Sequence, residues 1–263
     1  MTNVGTIESL WRYPVKSMHG EELPELFAGF AGVYGDRIFA FKSSASRAGF
    51  PYLTARVQPE MLRYRPRFRY PERAARPINF AEAEPQSFVD PPIYAEPDEL
   101  LVDVETPSGE TFAIDHPALI ERLRESLDAR HEVSLMRSGR ALADCRPISI
   151  FSVQSAHALS GETGIATDKR RFRANVYLDL SATNGFAEDA FVGRRLRIGK
   201  TATIAVLERD RRCMMINLDP DTTASSPAVL KNVAQAHDGA VGVYGAVIFE
   251  GMIRQGDAVE LLD

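Results

Sequence analysis

Thr201-Ala202-Thr203-Ile204-Ala205-Val206-Leu207 runs directly into Glu208-Arg209-Asp210-Arg211-Arg212-Cys213-Met214-Met215-Ile216-Asn217-Leu218-Asp219-Pro220. The first seven residues read as a short apolar strand, and the charges after Leu207 mark where the chain breaks out of it. Similar runs surround it: Ile148-Ser149-Ile150-Phe151-Ser152-Val153, Phe172-Arg173-Ala174-Asn175-Val176-Tyr177-Leu178-Asp179, Arg195-Leu196-Arg197-Ile198-Gly199, and residues 242–249 and 258–262, with glycines between them. A helix is expected over residues 154–161, stopping at Gly161. Many short strands and few helices favour a barrel or closed sheet in this half.

Cys213 is where the chemistry is expected. Arg209, Arg211 and Arg212 flank it, and such a setting favours the thiolate, the species that attacks electrophiles or binds a metal. Taken alone, the same cysteine also reads as a buried structural thiol beside a charged turn.

The N-terminal third is β-patterned as well. Gly5-Thr6-Ile7-Glu8-Ser9-Leu10-Trp11-Arg12-Tyr13 alternates, Pro14 interrupts it, and Arg37-Ile38-Phe39-Ala40-Phe41 resumes after a glycine-rich turn at residues 32–35. From Leu62 to Tyr70 the period is two, with Leu62, Tyr64, Pro66, Phe68 and Tyr70 on one face and Arg63, Arg65, Arg67 and Arg69 on the other. That pattern suits a half-buried edge strand, with Pro66 marking the edge. Basic and aromatic residues so interleaved could also bind single-stranded nucleic acid. Residues 71–99 carry Pro71, Pro77, Pro85, Pro91, Pro92 and Pro97 and read as a long irregular excursion, either a lid or a loose insertion. A hairpin follows, turning at Pro107-Ser108-Gly109. Asp115-His116-Pro117 then opens a helix with Leu119, Ile120, Leu123 and Leu127 as its apolar stripe. That helix divides the chain into domains of residues 1–115 and 116–263, in a mixed α/β, β-rich fold.

With 263 residues, 44% hydrophobic and 25% charged, the chain has length and apolar content for one large core or two modest ones. Its only cysteines, Cys145 and Cys213, lack the spacing of a disulfide framework or a CxxC metal site and fit a reducing compartment. Cys145 reads as a spare structural thiol. The five histidines show no metal-ligand spacing. A formal charge of −5 gives no global attraction to nucleic acid or anionic membrane. Neither a leader segment nor an apolar run near 18 residues is seen, so a soluble cytoplasmic protein is expected, without membrane or nucleic-acid partners.

Six short motifs occur in order: Tyr13-Pro14-Val15-Lys16-Ser17, Gly35-Asp36-Arg37, Thr54-Ala55-Arg56, Phe172-Arg173-Ala174-Asn175, Arg212-Cys213 with Asp219-Pro220 behind it, and Gly251 to Gly256-Asp257. Their sequence resembles proteins with a MOSC domain preceded by the MOSC N-terminal β-barrel domain, and most of all the mitochondrial amidoxime-reducing component and its bacterial relatives. The resemblance spans about residues 6–262. It implies an N-terminal β-barrel-like domain packed on a MOSC β-barrel and a molybdenum cofactor, whose pterin carries a phosphate. It further implies that Cys213 is the molybdenum ligand and catalytic centre. Lys16, Ser17, Arg37, Arg173, Asn175 and Arg212 become cofactor contacts, with Arg56 and Tyr244 as further ones. Thiolate is the soft ligand molybdenum accepts, and Arg and Lys are the side chains that recognise phosphate.

By the same resemblance the expected activity is reduction of small N-hydroxylated compounds such as amidoximes, hydroxylamines and N-hydroxylated bases. Lys16 or a nearby cation would stabilise the departing oxygen. No internal flavin, haem or iron–sulfur cluster is expected, so electrons would come from a separate flavin or iron–sulfur protein. Lys169-Arg170-Arg171-Phe172-Arg173 is a candidate docking patch for an acidic donor, or simply a solvated turn. An alternative is a sulfur carrier or cofactor-handling protein that uses a Cys213 persulfide. Departures from the family are the length of residues 71–99, Arg211 in place of a small polar residue, and the lack of a C-terminal iron–sulfur domain.

Overall fold

The computed structural model describes residues 1–80 and 92–262, so the middle of the Pro-rich excursion, with Pro85 and Pro91, lies outside the described residues. In chain order the strands of the first half are Thr2–Arg12 (β1), Glu21–Leu23 (β2), Glu25–Gly29 (β3), Gly32–Val33 (β4), Phe39–Ser43 (β5), Arg65–Phe68 (β6), Val102–Glu105 (β7), Thr111–Ala113 (β8) and Val133–Arg137 (β9). The second half adds Ile148–Ser152 (β10), Val176–Leu180 (β11), Arg195–Ile198 (β12), Ala202–Arg211 (β13), Ala240–Phe249 (β14), Gly251–Arg254 (β15) and Ala258–Leu262 (β16). Among the described residues there are three α-helices, Pro117–Arg124 (α1), Val153–Thr163 (α2) and Pro227–Ala236 (α3). None is long and apolar enough to cross a membrane.

Seven strands close a barrel in the order β11-β10-β14-β13-β12-β16-β1, and β1 returns to pair with β11. Closure leaves no free edge among the seven. Alternation along them supplies the interior: Ile148 and Ile150, Val176 and Leu178, Leu196 and Ile198, Ile204 and Val206 belong to one buried cluster with Ile7 and Leu10. The β10–β11 pair is parallel, which a tight turn cannot make, and α2 is the crossover between them.

A second core lies beside the barrel, built from Phe27, Phe39, Phe41, Leu53, Met61, Phe68, Val102 and Val104. Here β6, β7 and β8 form a small sheet, and β5 pairs with β9. The edge-strand reading holds. On β6, Pro66 and Phe68 are buried while Arg65 and Arg67 face water, and among the described residues β6 pairs with β7 alone. Arg63 and Arg69 are spent on Glu60 and Asp103. In α1, the His116 ring caps Ala118 N–H and Pro117 takes the first turn, while Leu119 and Leu123 pack into this second core. The two cores therefore interleave along the chain: β1 serves the barrel, whereas α1 and β9 serve the other body.

Two elements depart from the sequence expectation. Helix α2 runs through Gly161 and stops at Gly164, which takes the left-handed φ of 69° that ends it. The run from Phe172 becomes extended only at Val176, because Phe172 ends a 3₁₀ turn and Arg173 turns left-handed. Helix α3 and strands β2, β3, β4, β9 and β15 have no counterpart in the sequence reading. The signal for α3 lies in Ser226-Pro227 followed by Val229, Leu230 and Val233, a helix start and one apolar stripe.

Candidate active-site cleft

Strand β13 continues beyond the apolar run to Arg211, which still pairs with Ala240 of β14. Cys213 comes two residues later, partly exposed, at the head of the short 3₁₀ turn Met214–Asn217. It opens onto a cleft of about 250 Å³ that draws residues from both bodies. All nine residues singled out in the sequence, Lys16, Ser17, Arg37, Arg56, Arg173, Asn175, Arg212, Cys213 and Tyr244, line it.

The local backbone is unusual where it matters. Six non-glycine residues among those described have φ in the left-handed region, and three of them are Ser17 (66°), Arg37 (49°) and Arg173 (51°). Such residues cost about 1–3 kcal/mol each and persist only where surrounding bonds over-determine them. Those bonds are present. Arg37 N–H donates to Tyr13 O at 2.7 Å, Asp36 Oδ1 accepts Tyr13 N–H at 2.7 Å, and Arg37 Nη2 donates to Arg173 O at 2.9 Å.

Nine Lys and Arg side chains line the cleft against three carboxylates, Asp144, Glu208 and Asp210. This is a cationic site in a net-acidic chain, suited to an anion. Most of its cations are already committed. Lys16 Nζ donates to Leu142 O at 2.6 Å and to Asp144, so its charge is already paired. Burial, opposed by Asp144, leaves its pKa below the ordinary lysine value. Arg56 shares Asp144 at 3.0 Å, and Arg37 is paired with Asp36. Arg212 is pinned by Val241 O at 2.8 Å, Phe172 O at 2.9 Å and Asp210 at 2.8 Å. Asn175 accepts from Ser149 N–H at 3.3 Å and donates to Trp11 O at 3.2 Å, tying three barrel strands.

Arg173 is different. Its guanidinium lies over the Tyr13 ring, 4.3 Å from the centre, beside that of Arg37 at 4.5 Å. Its Nη2 is buried and has no hydrogen-bond partner among the described residues, which is also true of Arg56 Nε, Arg171 Nε, Arg209 Nε and Arg212 Nη2, but those four side chains are ion-paired. Burial pushes its pKa down to about 10, which leaves it cationic at neutral pH.

The carboxylates that organise these cations were not singled out in the sequence. Asp210, 1% exposed, accepts from Ser149 Oγ at 3.1 Å. Burial raises its pKa above the usual carboxylate value. Asp36 and Asp210 sit inside the motifs around Arg37 and Cys213, but Asp144 carries no sequence signal. Two expectations change. The charge of Arg209 is compensated by Asp189 at 2.9 Å and Asp238 at 3.4 Å. Cys145 is an exposed thiol in the cleft wall, its Sγ 3.7 Å from Glu208 Oε1, and not a structural one. In the candidate docking patch, Lys169, Arg170 and Arg171 are spent on Glu8, on Asp168 with Asp221, and on Asp219.

Residues 138–260 match the MOSC domain, and residues 4–86 match the MOSC N-terminal beta barrel domain. The chain belongs to the MOSC-domain proteins. No curated protein matches it. Among solved structures it is similar to the YUAD protein from Bacillus subtilis, with 13% identity, a TM-score of 0.48, and coverage of 98% of this chain and 95% of that one. It is also similar to YiiM from Geobacillus stearothermophilus, with 20% identity, a TM-score of 0.36, and coverage of 45% of this chain and 55% of the other. YiiM from Escherichia coli gives 20% identity, a TM-score of 0.34 and the same coverage.

MOSC domains are associated with molybdenum-cofactor binding and sulfur carriage. The residues of this MOSC protein suit such a group. One partly exposed thiol, a surplus of cations and an orphaned buried guanidinium N–H are what a soft metal and a phosphate-bearing pterin require. No three His, Cys, Asp or Glu converge as a metal site among the described residues.

Proposed function

We propose that this MOSC protein holds a molybdenum cofactor in the cleft and reduces N-hydroxylated compounds, taking electrons from a separate flavin or iron–sulfur protein. The observation that carries the reading is Arg173, a buried cation with an unpartnered N–H and no ion pair among the described residues, held in a left-handed conformation in the cleft that Cys213 also lines. Cys213 would ligate the metal. Arg173, Ser17 and the remaining amide N–H of Asn175 would face the acceptor atoms of the pterin and its phosphate, and Arg56 and Tyr244 would add donors. When bound, the group supplies two-electron redox chemistry.

The chain's own residues bind, orient and handle protons. Removal of an N-hydroxyl oxygen as water consumes two electrons and two protons. Burial raises the Tyr244 pKa, so its hydroxyl holds its proton at neutral pH where it lines the cleft. Arg212 fixes the segment before Cys213 through two hydrogen bonds and an ion pair with Asp210, and would meet the ligand where it lines the cleft.

The deciding experiment is the molybdenum and pterin content of wild type and Cys213→Ser, purified from a host that makes the cofactor. Near-stoichiometric metal that falls in the variant is the expected result. Wild type with neither metal nor pterin overturns the reading. Sulfur carriage is the second reading, and it rests on the exposed Cys145 in the wall of the same cleft. Sulfane sulfur on Cys213 in molybdenum-free protein would favour it.

A further inference from the structure

The nine cations that line the cleft divide by their partners. Lys16 and Arg56 share Asp144, Arg37 has Asp36, Arg212 has Asp210, Arg209 has Asp189 and Arg171 has Asp219. Arg146 Nε meets Glu208 Oε1 at 2.6 Å. Two cations are left without an ion pair among the described residues, Arg173 and Arg211. Arg173 presents a buried N–H. Arg211 is exposed, and among the described residues its side chain makes no hydrogen bond either. Glu208 feels the charge of Arg211, but that carboxylate is already taken by Arg146.

An exposed arginine by itself is a solvated charge, but the place of this one is fixed. Its main chain pairs with Ala240 at the end of β13, and the next residue, Arg212, is held by Val241 O and Phe172 O. Cys213 follows, and two residues of extended chain span about 7 Å. The cation of Arg211 and the thiol of Cys213 therefore line one cleft within a side chain's reach of each other. Phe172, Met215 and Ile216 give that cleft apolar wall as well, and apolar walls focus the field of a charge set among them.

We propose that Arg211 is a specificity-determining residue that pairs with a carboxylate on the small-molecule substrate, so that anionic N-hydroxylated compounds are preferred over neutral ones. The N-hydroxylated group rests on the reductase reading above; the preference for an anion rests on Arg211 itself. The two unpaired cations thus divide the work: the buried one suits the phosphate-bearing cofactor, and the exposed one meets what arrives from water. A docking face for an acidic protein needs several cations over about 800 Å², and Lys169, Arg170 and Arg171 are already paired. A small anion needs one.

The test compares cofactor-loaded wild type, Arg211→Gln and Arg211→Lys on pentanamidoxime and 4-carboxybutanamidoxime, which share a headgroup and differ by a carboxylate in place of a methyl group. Reduced methyl viologen supplies the electrons, so no donor protein takes part. Arg211→Gln should raise KM for the carboxylate compound about fivefold relative to KM for pentanamidoxime, with little change in kcat, and Arg211→Lys should restore most of the preference. An equal change for both compounds, as an altered field at the metal would give, overturns the assignment. Ligand-observed NMR of the two compounds with the protein as purified gives a readout without turnover. Tighter binding of the carboxylate compound to wild type, lost in Arg211→Gln and kept in Arg173→Asn, supports the assignment, and a preference that is absent or indifferent to Arg211→Gln overturns it. Failure of the loaded protein to reduce either amidoxime sinks the reductase reading and leaves the NMR result to decide the role of Arg211.

Discussion

Arg37 donates Nη2 to the main-chain oxygen of Arg173 at 2.9 Å, and both residues hold left-handed backbones, with φ of 49° and 51°. The two guanidiniums lie over the same ring, that of Tyr13. One of them is neutralised by Asp36 while the other has a buried N–H to spare. The first cation fixes the backbone from which the second is presented. Strain and an uncompensated charge at one point favour ligand binding over stability.

Arg173→Asn tests that trade. Asn tolerates a left-handed φ and carries no charge, so the variant should gain about 1 kcal/mol, read as a melting temperature raised by a few degrees. The same variant should lose the charge-assisted bond to an anionic ligand, worth about 1.5–3 kcal/mol or a tenfold or greater drop in affinity. Thermal melts and the pterin-to-protein ratio measure both effects. A variant that is no more stable and retains full pterin removes the basis for the site.

Lys16 gives a pH signature. Burial is the larger influence on it, Asp144 opposes it, and the pKa is left below 10.5. A base whose pKa falls on folding binds fewer protons folded than unfolded just below 10.5, so stability rises with pH in that window. Lys16→Met has no such group. It should be the more stable protein at neutral pH, with a margin over wild type that narrows as pH approaches 10.5. Denaturant midpoints across that range check the sign.

Glu188 is 0% exposed and accepts from Ser152 N–H at 3.1 Å, Ser152 Oγ at 2.8 Å and Ser155 Oγ at 2.8 Å, binding the end of β10 to the first turn of α2. Glu188→Ala strands three buried donors and should cost about 3 kcal/mol or more. Glu188→Gln should cost about 1 kcal/mol, because a hydroxyl can turn to accept from the new amide. Denaturant unfolding of the two variants separates these outcomes.

The end of α2 offers a paired test. Gly161 lies inside the helix with nothing within 4 Å of where a methyl group would sit, while Gly164 has the φ of 69° that stops it. Gly161→Ala should stabilise by about 0.5–1 kcal/mol, and Gly164→Ala should destabilise by about 1 kcal/mol. Opposite shifts in melting temperature would show the helix ending at Gly164; a loss of stability at Gly161 would place the stop there instead.

Some of this was legible in residues alone because it depends on short-range periods. Alternation in Ile148-Ser149-Ile150, in Leu196-Arg197-Ile198 and along Arg65-Pro66-Arg67-Phe68 is a property of the strand itself, and so is the His116-Pro117 helix start. Gly161 and Gly164 could not be told apart, since both are glycines near the end of one helical pattern. Either can stop a helix, and the stop falls where the following segment turns toward β11.

Residue order was enough for a β-rich fold with a closed sheet in its second half and for the nine residues that meet at one cleft. That β1, from the start of the chain, closes the barrel is visible only in the folded molecule. So is the question of which cations the cleft keeps free. Asp144 lies 128 residues from Lys16, and its pairing, like that of Arg209 with Asp189, depends on what the fold brings near. Strand periodicity is local, whereas barrel closure and charge compensation depend on contacts between distant parts of the chain.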